Sequence, residues 1–334
     1  MIDSVDTHIL RALQCAPRAP FRLIGDVSGV SEQTAARRYH ALRRSGVMRV
    51  VGLVDPAVRG AAQWVARIRC RPDRVGPLAD TLARRPDITY ASIASGGSEI
   101  ICIVRAPLDT RREDMLLRQL PKSASVLDVS IDLLIHPFGS ADTAGWTGYG
   151  GHLTTAQRHL LTGGGPSPAP AGPLLTPTAE DAPLLDALAE DGRTTHTRLA
   201  ELTGWSTGRI ARRLESLEAS GALSYDIDLL PERLGHHLTA TLWLRVAPAH
   251  LERAGDEIAR HDEVAFTGAI SGDHNVMAIV VCRDAEDLYR YLTTRLAATP
   301  GVDAYGVSIR THRLKQAASL ISHGRLVPSG NGPA

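Results

Sequence analysis

Apolar residues recur at helical spacing near the start of the chain: Ile9, Leu10 and Leu13 share one face of a helix that Asp3 or Ser4 can cap. A second short helix is expected over Phe21–Ser28. Gly29-Val30-Ser31 then reads as a tight turn that ends in an N-cap, Ser31 accepting free backbone N–H groups of a third helix over Glu32–Ser45. Gly46 supplies the left-handed residue that stops it. In this helix Ala35, Tyr39 and Leu42 fall at i, i+4 and i+7 and should face a core. Gln33, Thr34, Arg37, His40 and Arg44 then point to solvent. The same design returns later with Leu184, Leu185 and Leu188, the turn Gly204-Trp205-Ser206, and a helix over Thr207–Ser220 closed by Gly221. Its inward stripe is Ile210, Leu214 and Leu217; its outward set includes Thr207, Arg209, Arg212 and Arg213.

After each helical trio the period changes from helix to strand. In the first copy strands are expected over Trp64–Cys70, Ile88–Ala94, Glu99–Val104 and Val126–Leu134, with helices near Asp73–Arg84 and Thr110–Leu120. In the second they fall at Leu238–Val246, Val264–Ile270, Val276–Val281 and Ala304–Thr311, with helices at Ala249–His261 and Ala285–Ala298. The order βαββαβ is the split, ferredoxin-like plan. Such a sheet is covered by helices on one face, and its other face needs a partner.

The two halves are a duplication. Residues 5–48 align without gaps on 180–223 at a shift of 175, pairing Asp6 with Asp181, Arg18 with Arg193, Ser31 with Ser206, Arg37 with Arg212 and Arg38 with Arg213. One residue later the register resumes, and Ser95-Gly96 matches Ser271-Gly272. The expected fold class is therefore α+β, with two helix-turn-helix domains and two ferredoxin-like sensing domains in tandem. The boundaries are helix-turn-helix domains at 1–55 and 178–230 and sensing domains at 60–138 and 236–315. Residues 139–177, rich in Gly and Pro, read as a linker, and 324–334 as a disordered tail. The glycine-rich 145–151 lacks the Lys-Ser/Thr of a phosphate loop.

Charge sharpens the reading of the outward helix faces. The 334 residues carry a net charge of +1, so any basic surface is local. Residues 1–60 hold nine arginines against five acids, while 178–235 hold six against eleven. A short turn between two helices, the second bearing polar and basic residues outward, is the helix-turn-helix design. Hydroxyl and amide groups at the helix start reach base edges, and guanidinium groups one turn on reach phosphates or guanine. The candidate DNA-contacting residues are Ser31, Gln33, Thr34, Arg37, Arg38 and Arg44, with Ser206, Thr207, Arg209, Arg212 and Arg213. Phosphate neutralisation dominates affinity, so the first module should bind more strongly than the second. The four cysteines are far apart, with no CxxC pair, which argues against zinc and disulfides. No cofactor or metal is expected. The acidic start and the absence of a long apolar run point to a cytoplasmic protein without membrane contact.

The whole pattern resembles the Lrp/AsnC (feast/famine) family of transcription regulators. The likeness is carried by VDTHILRAL, GVSEQTAARRYHALRRSGVM and SGGSEIICIV, and again by EDAPLLDALAEDGRTT, GWSTGRIARRLESLEASGAL and SGDHNVMAIV. It implies sensing sheets that pair face to face into dimers, further homo-oligomers, double-stranded operator DNA as partner, and an amino acid or similar effector held between modules. The family's effector-holding turn reads roughly Gly-x-x-Asp. It falls here on Gly96-Gly97-Ser98-Glu99 and Gly272-Asp273-His274-Asn275, with Glu99 and Asn275 in place of the acid. The resemblance thus implies a regulator whose DNA binding answers to a small molecule, and not an enzyme. Two alternatives stand beside it. One is a decarboxylase acting on siroheme, of the same architecture, which would draw on His236, His237, His261, His274, Arg67 and Arg69; the His-Arg stretch expected near the hairpin is missing. The other is a sensor that works only through protein partners. His136, His152 and His159 are scattered, with no metal spacing.

Overall fold

Asp3 and Asp6 open the first helix as a capping box, each carboxylate accepting the other's backbone N–H. In chain order, helices α1 (Ser4–Cys15), α2 (Phe21–Ser28) and α3 (Glu32–Arg44) lead into strands β1 (Met48–Val54) and β2 (Ala61–Cys70). Helix α4 (Val75–Ala83) and strands β3 (Ile88–Ala94), β4 (Glu99–Pro107) and β5 (Val126–Phe138) follow. Then come helices α5 (Thr155–Thr162), α6 (Ala182–Glu190), α7 (His196–Thr203) and α8 (Thr207–Ala219), and strands β6 (Leu223–Leu229) and β7 (Leu238–Val246). Helix α9 (Leu251–Ala259), strands β8 (Val264–Ile270) and β9 (Val276–Cys282), helix α10 (Ala285–Tyr291) and strands β10 (Val302–Gln316), β11 (Ser319–Ser322) and β12 (Arg325–Pro328) complete the chain. This computed structural model describes residues 2–108, 126–139, 146–163 and 174–329. The helix expected near Thr110–Leu120 lies outside the described residues.

The chain folds as two units that do not follow the order of the sequence: residues 1–60, 150–230 and 317–334 form one, and 61–149 with 231–316 form the other. In the first unit both helical trios come together. Strands β1 and β6 pair antiparallel from Met48↔Leu229 to Val54↔Leu223. The contact is reciprocal: Arg18 donates to the carbonyls of Gly192 and Thr194, and Arg193 donates to those of Pro17 (2.6 Å) and Ala19 (2.8 Å). A shift of 175 converts one set of partners into the other, which is the signature of an isologous two-fold contact, here within one chain. Val54 and Val58 of the first copy pack into the second copy's core with Leu184, Leu188, Ile210 and Leu214.

The second unit holds both sensing sheets. Their strands form a closed antiparallel ring in the order β10-β3-β4-β2-β5-β8-β9-β7, with β7 returning to β10. The two seams are equivalent: Leu134 pairs with Ile270, and Arg310 pairs with Ala94, related by the shift of 176. Closure removes the exposed sheet edges. The modules join edge to edge through β5–β8 and β10–β3. On the outer face of the second copy, Leu242, Leu244 and Val280 pack under α9 and α10 with Ile258 and Leu288.

Three expected boundaries change. The helix-turn-helix domain placed at 1–55 ends in a strand, β1, that pairs across the duplication. The linker placed at 139–177 contains α5, whose Thr154–Gln157 capping box starts it and whose Gln157 side chain donates to the Val27 carbonyl at 3.0 Å. The tail placed at 324–334 contains β12, paired to β11. No helix among the described residues is long and apolar enough to cross a membrane.

Candidate nucleic-acid interface

Each third helix of the trios begins on its serine. Ser31 Oγ accepts the Thr34 amide at 3.2 Å and donates to Thr34 Oγ1 at 3.0 Å. Ser206 Oγ accepts the Arg209 amide at 3.2 Å. These hydroxyls hold the helix starts in place. Beyond them Gln33, Arg37, His40 and Arg44 are exposed along α3, and Thr207, Arg209 and Arg212 along α8. Neither Arg37 nor Arg212 forms an ion pair among the described residues. Arg209 stacks on the Trp205 ring, 3.8 Å from its centroid, and pairs with the exposed Glu180 at 2.7 Å. A surface pair of that kind is weak enough for a phosphate to displace.

Arg38 and Arg213 need a correction. One residue around the helix from Arg37 and Arg212, they turn inward to the first helix of their own trio. Arg38 Nη1 lies 2.6 Å from Asp3 Oδ2 and 3.0 Å from Asp6 Oδ1. Arg213 grips the fully buried Asp181 with Nε at 2.7 Å and Nη2 at 2.5 Å. A forked, charge-assisted pair of this kind orients α8 on α6 and ties up the Nε edge of the guanidinium. Burial raises the Asp181 carboxyl, but the bonds from Arg213 and Thr178 outweigh it and hold the group below its ordinary value.

The two exposed faces differ in charge. His40, Arg43 and Arg44 of α3 correspond to Glu215, Glu218 and Ala219 of α8. Arg37, His40, Arg43 and Arg44 line one shallow basic cleft, although Arg43 also pairs with Asp191 at 2.7 Å. A different shallow cleft, at the start of α8, includes Glu180 and Asp181 beside Arg209, Arg212 and Arg213.

The expected effector turns sit at the seams of the ring. Glu99 is only 4% exposed. It pairs with Arg67 Nε at 2.9 Å and accepts the hydroxyls of Ser95 (2.9 Å) and Ser308 (2.8 Å). Arg67 in turn lies 4.1 Å over the Trp243 ring, its equivalent in the other copy. Asn275 is also occupied: its side chain bonds the backbone N–H and carbonyl of Val246 at 2.8 and 2.7 Å. The structure therefore withdraws Glu99 and Asn275 from the ligand set, because their polar atoms bind the fold. Gly96, Ser98, Gly272 and Asp273 are exposed, with Gly97 and His274 half-buried. Gly272, at φ +92°, lies so close to Asp132 that a side chain there would overlap the carboxylate. Burial, with Arg67 and Arg245 nearby, lowers the His274 imidazole. Sequence reasoning missed Arg67 and Ser308 as seam residues, since each finds its partners more than thirty positions away.

Comparison with known proteins agrees with this layout. The AsnC-type helix-turn-helix domain model matches residues 2–43 and 181–218, and the Lrp/AsnC ligand-binding domain model matches 239–320. The regulator LrpA of Pyrococcus abyssi is 29% identical over 136 residues, 40% of this chain and 96% of that protein. LrpA of Pyrococcus horikoshii is 29% identical over the same length. Over its whole length the chain is similar in fold to the siroheme decarboxylase NirDL, with a TM-score of 0.63 at 13% identity, covering 94% of this chain and 93% of that one. This overturns the expectation that the protein is not an enzyme, since an enzyme is built on the same full-length fold. The chain carries two AsnC-type helix-turn-helix domains and a Lrp/AsnC ligand-binding domain, and is similar to the transcription regulators named LrpA.

Proposed function

We propose that one chain reads an asymmetric operator, with α3 and α8 on two unlike half-sites and α3 contributing most of the affinity. The observation that carries this is the reciprocal Arg18 and Arg193 contact, with the β1–β6 ribbon, which holds both helices in one body while Arg37 and Arg212 stay exposed. Half-site spacing then follows from the fold of a single chain. Charge sets the ranking: the α3 face meets phosphates with Arg37, His40 and Arg44, whereas α8 brings Glu215 and Glu218 near them. The test is selection of duplexes from a random library by the intact chain, then binding of Arg37→Ala and Arg212→Ala. Arg37→Ala should lose more affinity; a strict palindrome, or a larger loss for Arg212→Ala, would refute the reading.

A small molecule, such as an amino acid, modulates this binding from the ring. Support comes from the ligand-binding domain match and from the exposed backbone of Gly96-Gly97-Ser98 and Gly272-Asp273-His274 at the two seams. Further pairing of chains into homo-oligomers would bring such turns against a neighbour. A thermal-shift screen of amino acids and metabolites, followed by the DNA assay with each hit, tests the coupling. The full-length likeness to NirDL favours a second reading, tetrapyrrole binding by the ring, and siroheme titration followed by absorbance decides it.

A further inference from the structure

Gly46 ends α3 with φ +70°, and a side chain there would collide with the Arg325 Cβ at 2.7 Å. The contact is a docked hairpin. Strands β11 and β12 pair from Ser319↔Pro328 to Ser322↔Arg325, around a two-residue turn, His323-Gly324, in which both residues have positive φ. That is the backbone of a tight turn whose twist suits a hairpin. The hairpin is anchored at its base and at its tip. Ser319 is fully buried, accepts Arg49 Nη1 at 2.7 Å and donates to Asp228. Leu326 is buried, its N–H bonds the Gly46 carbonyl at 2.9 Å, and Arg325 donates to the Arg44 carbonyl. His323, Gly324 and Arg325 stay exposed, next to the last turn of α3.

We propose that this hairpin is a wing: it extends the basic stripe of Arg37, His40 and Arg44 beyond the helix end and places Arg325 and His323 on the phosphate backbone beside the groove that α3 enters. The chemistry is that of a phosphate clamp, sequence-independent and salt-sensitive. Arg325 spends one Nη2 hydrogen on the Arg44 carbonyl, and its fork carries further donors for an anion. A hairpin docked against the end of a groove-reading helix is positioned for the flanking backbone rather than for base edges.

This inference rests on the DNA-binding reading above. A duplex selected by the intact chain is titrated by fluorescence anisotropy at rising KCl with the wild type, Arg325→Gln, Arg325→Lys and His323→Glu. One lost phosphate contact should flatten the slope of log K against log salt by about 0.9 in Arg325→Gln, whatever the duplex sequence. Arg325→Lys should keep the wild-type slope. His323→Glu leaves the contact with Arg44 intact and should weaken binding through repulsion alone. A wild-type slope in Arg325→Gln together with unchanged affinity in His323→Glu would overturn the wing, even if Arg325→Gln melts lower. Failure of the intact chain to enrich any duplex would overturn the DNA-binding reading itself, a different result from DNA binding with an idle hairpin.

Discussion

Neighbouring arginines on one helix have opposite duties. Arg37 and Arg212 face out, while Arg38 and Arg213 hold buried or half-buried aspartates. Removing Arg213 leaves the Asp181 carboxylate with only its Thr178 bonds, so Arg213→Ala should lower unfolding free energy by about 2–3 kcal/mol, read by urea titration. Arg212→Ala should leave the urea midpoint in place. The same pair sets an acid limit. The Asp181 pKa is depressed in the folded chain, so its contribution is complete above 3.8 and is lost as pH falls through the lower folded value. Asp181→Asn should therefore flatten the loss of stability below pH 3.8. The inward role was legible in principle: Asp6 and Arg38 recur together as Asp181 and Arg213, and duplicated partners of opposite charge suggest a contact. What hid it is that a helix face 100° wide cannot be assigned to within one residue from spacing alone.

Among the elements, helices with a cap and an apolar stripe were readable, and α2, β3, β7 and β8 fall where the spacing predicts them. The ribbon β1–β6 was not, because Met48–Val54 is a nearly continuous apolar run and its partner lies 175 positions on. The C-terminal hairpin was read as a tail because His-Gly is a weaker turn signal than Asn-Gly. The ribbon's reciprocal arginines each make two carbonyl bonds but are unequal. Arg18 reaches Thr194 only at 3.4 Å and stacks on Tyr225 alone, at 5.1 Å, whereas Arg193 bonds at 2.6 and 2.8 Å and stacks on Phe21 at 4.5 Å and Tyr39 at 5.3 Å. Arg193→Ala should then lower the melting temperature of the chain more than Arg18→Ala, and scanning calorimetry on both variants checks it. In the ring, burial pushes the Lys315 ammonium down to about 8 while its Nζ donates to the Arg85 carbonyl at 2.8 Å. Between pH 8 and 10.5 the unfolded chain binds a proton that the folded chain does not, so stability rises with pH across that window. Lys315→Met should stabilise the chain at pH 7 by on the order of 2 kcal/mol, with the gain fading between pH 8 and 10.5.

At the scale of the whole molecule, the duplication does in one chain what two subunits do elsewhere: each unit contains one copy of a module and its partner. If the two recognition helices act together, one chain should saturate one operator duplex, a ratio that analytical ultracentrifugation of labelled DNA reports directly. A requirement for two chains per duplex would place the second half-site on another molecule. The candidate site was only partly legible at this scale. The residues on α3 could be chosen from its spacing, but the fate of Glu99 depended on Ser308, which no local pattern connects to it.

That seam shows what fusion permits. One seat puts a carboxylate on the turn and a hydroxyl, Ser308, on the strand opposite; the other puts an amide, Asn275, on the turn and the carboxylate, Asp132, on the strand. In an assembly of identical subunits every change is made twice, and two such unlike seats could not coexist. Joining the halves has released them from that mirror constraint, so either seat can diverge, or be engineered, without touching its twin.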